Sequence, residues 1–154
     1  MSTEPIRRSV TVRRSGGDAF RLFTEGMGSW WPVETHGRME GDEKLERLVV
    51  EPREGGRVYE LTSAGRELDW ATITVWEPST RLVMAWNPSA EDRPRTEVEV
   101  RFRDLGDGTT EVHLEHRRWE LLAERAPELR GSYASERGWD LVLGAYVEDA
   151  GAAA

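Results

Sequence analysis

The 154-residue chain has no cysteine, which excludes disulfides, zinc–thiolate centres and thiol nucleophiles. Histidine is scarce, with three residues, so an imidazole metal site is not expected. No apolar run approaches the roughly 20 residues that a membrane span needs. Neither a Gly-x-Gly-x-x-Gly nor a Gly-Lys-Ser/Thr phosphate loop occurs, and there is no Gly-x-Ser-x-Gly elbow; no cofactor and no serine-hydrolase site are expected. Residues 1–8 carry no apolar core after their charges, so no secretion signal is read there and a cytoplasmic location is the default. Positive charge is also short. Asp and Glu number 29 against 21 Lys and Arg, a net charge of −8, which repels phosphate backbones and argues against a nucleic-acid partner. Lys44 is the one lysine; every other basic residue is arginine.

What the chain does have is enough apolar material for one domain, core about 6–148, and an excess of indole. Seven Trp stand against three Tyr and three Phe. A buried indole N–H needs an acceptor, so a small core gains little from so many. Some of them are expected to line a cavity.

Apolar alternation predicts strands over 6–12, 45–51, 57–62, 68–76, 81–86, 96–103 and 111–117. The last two form a hairpin around Asp107-Gly108, with Val98, Val100, Phe102, Val112, Leu114 and His116 on one face. Asp18 is positioned to cap a helix over 19–25, and Ser29 a short turn holding Trp30 and Trp31 that Pro32 closes. From Pro127 to Glu148 the pattern predicts a long helix with Trp139, Val142, Leu143 and Tyr146 on one face. Gly131, Gly138 and Gly144 each weaken it by about 1 kcal/mol relative to Ala, so tertiary packing must hold it. A sheet with one apolar face needs a cover, and this helix is the element long enough to supply it. The wedge between the two is where a pocket is expected.

Several motifs fall in a familiar order: Trp30-Trp31-Pro32, the run 51–57 (Glu-Pro-Arg-Glu-Gly-Gly-Arg), Trp70-Ala71 leading to Glu77-Pro78 and Arg81-Leu82-Val83, the run 96–102, Gly108-Thr109-Thr110, and Leu114-Glu115-His116 followed by Trp119-Glu120. They resemble the bacterial branch similar to the C-terminal domain of the heat-shock-protein ATPase activator, within the START-like (SRPBCC) superfamily. That superfamily also includes polyketide cyclases, lipid-transfer domains and the birch-pollen allergen. Ala71 stands where relatives often carry Gly. The resemblance implies an α+β helix-grip fold, a curved antiparallel β-sheet wrapped around a long C-terminal α-helix.

The ligand-binding candidates are Trp30, Trp31, Tyr59, Trp70, Met84, Trp86, His116, Trp139 and Tyr146. His36 is a further polar handle, and Met27 and Met39 could adapt to a flexible guest alongside Met84. His113 and His116 differ by an odd number on one strand and so face opposite ways, which excludes a shared ion. His116 has two readings: an acid or base assisted by Tyr146, or a buried histidine satisfied by Trp119 or the backbone. Glu97 and Glu115 fall on the outward face, paired with Arg101 or Arg117, and Glu51, Glu60 and Glu77 at strand edges or outward positions. Arg7-Arg8 and Arg13-Arg14 could meet an acidic partner surface. The leading expectation is a non-catalytic module that binds a small apolar or aromatic molecule. The alternatives are a polyketide cyclase/hydratase-like enzyme using His116 and a co-chaperone-type ATPase activator. The sequence leaves a homodimer open.

Overall fold

The computed structural model describes residues 3–36, 44–88 and 96–151. Its strands are β1 Ile6–Val12, β2 Leu45–Val50, β3 Arg57–Thr62, β4 Glu67–Glu77, β5 Arg81–Trp86, β6 Thr96–Asp104 and β7 Thr110–Arg117. They form one curved antiparallel sheet in the order β1-β7-β6-β5-β4-β3-β2. From β2 to β7 each strand pairs with the next, and β1 pairs with β7 with Val10 opposite Val112. The helices are α1 Gly16–Phe23, α2 Met27–Trp30, α3 Val33–His36, α4 Ala126–Ala134 and α5 Trp139–Ala150, with a 3-10 segment Trp119–Arg125 before α4. The long α5 lies on the concave face, where Trp139, Val142, Leu143 and Tyr146 are buried together, as its spacing predicts.

Strict alternation fails in β4, and the failure matters for the site. Val58 pairs with Ala71 while Tyr59 pairs with Asp69, so Trp70 is an extra residue in the ladder. Ile73 pairs with Met84 while Val75 pairs with Val83, so Thr74 is a second. A bulge puts two successive residues against one and re-aims a side chain. Trp70 and Ala71 are therefore both buried. Past the second bulge Trp76 packs on Phe20 edge-to-face at 5.0 Å.

Two arginines fix α5 at opposite ends. Arg8, which interrupts the apolar face of β1, sends its Nε to Asp140 Oδ1 in the first turn (2.7 Å). Arg14 donates to the Ala150 carbonyl in the last turn (3.0 Å), where a cation also offsets the helix dipole. Arg7 pairs with Glu115. These side chains are thus used inside the fold, and Arg13 adds a backbone bond to Gly151 (2.8 Å).

On the convex face Arg117 binds Glu97, Glu99 and Glu115, and Arg81 and Arg101 also reach Glu99. Burial pushes the Glu99 carboxyl up, but the hydrogen bonds from Arg81 and Arg117 outweigh it and bring it down to about 2.

Three local expectations are corrected. The N-cap of α1 is Ser15, whose Oγ accepts from the Asp18 N–H at 3.2 Å, in place of Asp18 itself. Ser29 lies inside α2, whose N-cap is Gly26. The stretch from Pro127 is two helices, broken between Ser135 and Gly138. Gly138 is the break: a Cβ there would overlap the Tyr133 carbonyl. We predict that Gly138→Ala destabilises the protein by about 1–3 kcal/mol, as overpacking does. Gly144, mid-helix with open space around it, should behave oppositely, Gly144→Ala stabilising by about 0.5–1 kcal/mol. Thermal melts of the two variants check both signs.

Candidate functional site

A cleft of about 730 Å³ opens between the end of the sheet, α3 and the α4–α5 turn. Five rings wall it: Trp31, Trp70, Trp86, Tyr133 and Trp139. They contact one another, Trp31 with Trp70 at 4.8 Å between centroids and Trp86 with Trp139 at 5.7 Å. Leu129, Leu141 and Val142 add aliphatic surface, and Leu141 stays 39% exposed. Thr35, His36, Ser132 and Arg137 supply the polar rim.

The polar atoms of the five rings are spent inside the protein. Trp70 donates to Glu60 Oε1 (2.7 Å) and Trp31 to the His36 carbonyl (3.4 Å). Trp86 donates to the Tyr133 hydroxyl (3.0 Å), which donates in turn to the Pro88 carbonyl (2.8 Å). Trp139 donates to Nδ1 of His116 (3.1 Å). Ring faces and edges, without free donors, are what the cleft presents.

His116 lies behind this wall, fully buried. An indole nitrogen only donates, so Nδ1 bears no proton and the ring proton sits on Nε2. Nε2 donates to Thr96 Oγ1 (2.7 Å), whose hydroxyl donates in turn to the Trp86 carbonyl (3.2 Å). Burial drives the pKa of His116 well below its ordinary value. The ring is neutral, both nitrogens are engaged, and the residue's carbonyl accepts from Trp119 Nε1 (3.0 Å).

Of the sequence candidates, Trp31, Trp70, Trp86 and Trp139 come together on the cleft, joined at its rim by His36. His116 supports the wall from behind. Tyr146 and Trp30 pack with Phe23 away from the cleft, Tyr146 5.1 Å from both rings and Trp30 5.2 Å from Phe23, and Trp30 meets the wall only through Trp31 (5.7 Å). The Tyr146 hydroxyl donates to the Ala19 carbonyl (2.9 Å), and burial pushes its pKa up, so it does not assist His116. Met27 and Met84 are packed in the core. Tyr59 faces away from the concave side, with the Arg57 guanidinium 4.3 Å over its ring. Met39 lies outside the described residues. Glu60, read as an edge or outward residue, is instead fully buried, because Val58, Glu60 and Thr62 share the inward face of β3. Sequence reasoning missed Tyr133, Leu129 and Arg137. The i, i+4 spacing of Leu129 and Tyr133 is the available signal for the first two; for the break that brings Arg137 to the rim the signal is Gly138 itself, one of three glycines in the stretch.

Residues 15–145 match the family model described as Activator of Hsp90 ATPase homolog 1-like protein. The chain belongs to that family. Among solved structures, this chain is similar to CalC, a self-sacrificing resistance protein from Micromonospora echinospora. The identity is 26%, over 96% of this chain and 94% of that one, with TM-score 0.73. It is also similar to the anthrahydroquino-γ-pyrone synthase Txn09 in complex with SUM, at 30% identity over 96% and 99%, with TM-score 0.63. An HSP90 activator from Plasmodium falciparum shares the fold at 15% identity over 73% and 71%, with TM-score 0.52. A search of curated proteins found no significant match. Among the described residues no helix is long and apolar enough to cross a membrane, and no three His, Asp or Glu are grouped to hold a metal ion.

The neutral His116 makes a pH prediction. Its folded pKa is depressed, so its contribution to stability is complete above the unfolded value of 6.5 and is lost as pH falls from there toward the folded pKa. The loss is at most about 1.4 kcal/mol per pH unit. His116→Asn should therefore be least stable relative to wild type above pH 7, with the gap narrowing toward pH 5 in urea titrations.

Proposed function

We propose that this protein binds a planar aromatic small molecule in the cleft between the sheet and the α4–α5 turn, stacking it on Trp31, Trp70, Trp86, Tyr133 and Trp139. The observation that carries the reading is an open space of about 730 Å³ walled by five rings whose hydrogen-bonding atoms are already used. That size suits one drug-sized guest, and apolar burial there stabilises the complex by about 25 cal/mol per Å². The relatives at 26% and 30% identity, a resistance protein and a synthase in complex with SUM, support a small-molecule role along the whole chain. The co-chaperone reading rests on the family model's description; the activator from Plasmodium falciparum, at 15% identity, adds no more than a common fold.

The cyclase-like alternative draws its support from the synthase relative. His116 is a poor acid or base for it, since neither ring nitrogen is free. Tyr146 is no better placed, being bonded to Ala19 in another cluster. Binding without catalysis is the reading the side chains favour.

N-phenyl-1-naphthylamine, a neutral dye of two aromatic ring systems, tests it. The dye should quench tryptophan emission and raise the melting temperature. Leu141→Asp, at a half-exposed wall position, should weaken dye binding at least ten-fold with little change in melting temperature. Tryptophan emission and melting temperature that both ignore the dye would overturn the reading.

A further inference from the structure

The proposed aromatic site says nothing of the guest's charge, and the rim does. Arg137 is the one permanently charged residue among the described residues lining the cleft, and no carboxylate lines it with them. Among the described residues at least ten arginines hold a carboxylate: Arg7, Arg8, Arg21, Arg53, Arg57, Arg81, Arg101, Arg103, Arg117 and Arg118. The Arg137 guanidinium has no such partner among the described residues. Its acidic neighbour Asp140 points away, to Arg8.

The backbone that carries this guanidinium is held from both sides. The Arg137 carbonyl accepts the Nε2–H of His36 at 2.6 Å, and the following N–H, of Gly138, donates to Ser135 O at 2.9 Å. His36 is itself braced by Thr35 Oγ1 at 2.7 Å from Nδ1. A strap across the rim thus fixes where the cation starts, while its fork of donors stays unspent. Inside, the indole and phenol groups have no donors left. A guest's polar group must then be met at the rim, and the charged group available there is a planar, five-donor cation suited to an oxyanion.

We infer that the cleft selects planar aromatic molecules bearing an ionised acidic group at one edge, with Arg137 as the specificity-determining residue. The inference rests on the aromatic-cleft reading. The net charge of −8 sharpens it, because the rest of the protein repels an anion and the preference must come from this rim.

A matched pair of dyes separates the two statements. 8-Anilinonaphthalene-1-sulfonate is N-phenyl-1-naphthylamine with one added sulfonate. For Arg137→Gln, sulfonate-dye affinity should fall about ten-fold while neutral-dye affinity stays within about two-fold. Arg137→Lys should recover part of the loss, and raising salt should weaken the sulfonate dye alone. Each dye should displace the other. If the neutral dye binds but the sulfonate dye does not, or if Arg137→Gln weakens both alike or neither, the charge selection is wrong and the aromatic cleft stands. If neither dye binds, both fall. Circular dichroism and melting temperature should not change in Arg137→Gln, since Arg137 is exposed.

Discussion

The bond from the Trp139 indole to a neutral His116 organises the centre of this protein. An indole N–H can only donate, and leaving it unpaired in an apolar interior costs about 1–3 kcal/mol. Imidazole offers it an acceptor only while one nitrogen is unprotonated. Burial supplies that condition, because desolvation penalises the charged ring. Desolvation and hydrogen bonding therefore favour the same tautomer. The bond also joins α5 to β7, and through Nε2, Thr96 and the Trp86 carbonyl it continues into β6 and β5. One ring thus sets the helix, three strands and two walls of the cleft in register. Removing it would strand a donor on Trp139 and an acceptor at Thr96, so its structural role is enough to account for it without chemistry.

The sequence made the sheet legible because alternation survives on most strands. Val98, Val100 and Phe102 against Val112, Leu114 and His116 read correctly from parity alone, and so did the burial of His116 and the exposure of His113. Parity breaks where the ladder gains a residue. Trp70 and Trp76 have the same parity as Thr72 and Thr74, opposite to Ala71 and Ile73, yet bulges turn members of both sets to the core. No local pattern marks an extra residue, since the bulge arises from how neighbouring strands close over the helix. Glu60 was misread for a related reason. A carboxylate on an inward face looks like an error of register until its partner is known, and that partner, the Trp70 indole, is brought to it by the bulge. The four cleft tryptophans are legible as rings near a wedge; Arg137 is not, because its place on the rim depends on the break at Gly138.

Arginine is sorted by what surrounds it. On the convex face it is matched with carboxylates, and Glu99 stays ionised despite burial because Arg81 and Arg117 hold it there. At the sheet edge Arg8 and Arg14 leave β1 and its following turn for the two ends of α5, so an apparent flaw in the apolar face of β1 becomes a clamp on the helix. Long stems lying on apolar surface with the charge at a polar tip make this use of arginine cheap in a small core.

The pairing of these N–H groups matters beyond stability. A wall of indoles with free donors would read a guest by its acceptors and discriminate steeply, because an unmatched buried donor is costly. Here Glu60, His36, Tyr133 and His116 take up those donors before any guest arrives. What remains is π surface, which attracts any flat ring and distinguishes poorly among them. Such a site is tolerant in its interior, so whatever selectivity it has must be imposed at the mouth. On the proposed binding reading, the polar rim that His36 ties to the α4–α5 turn is therefore where selectivity would be set.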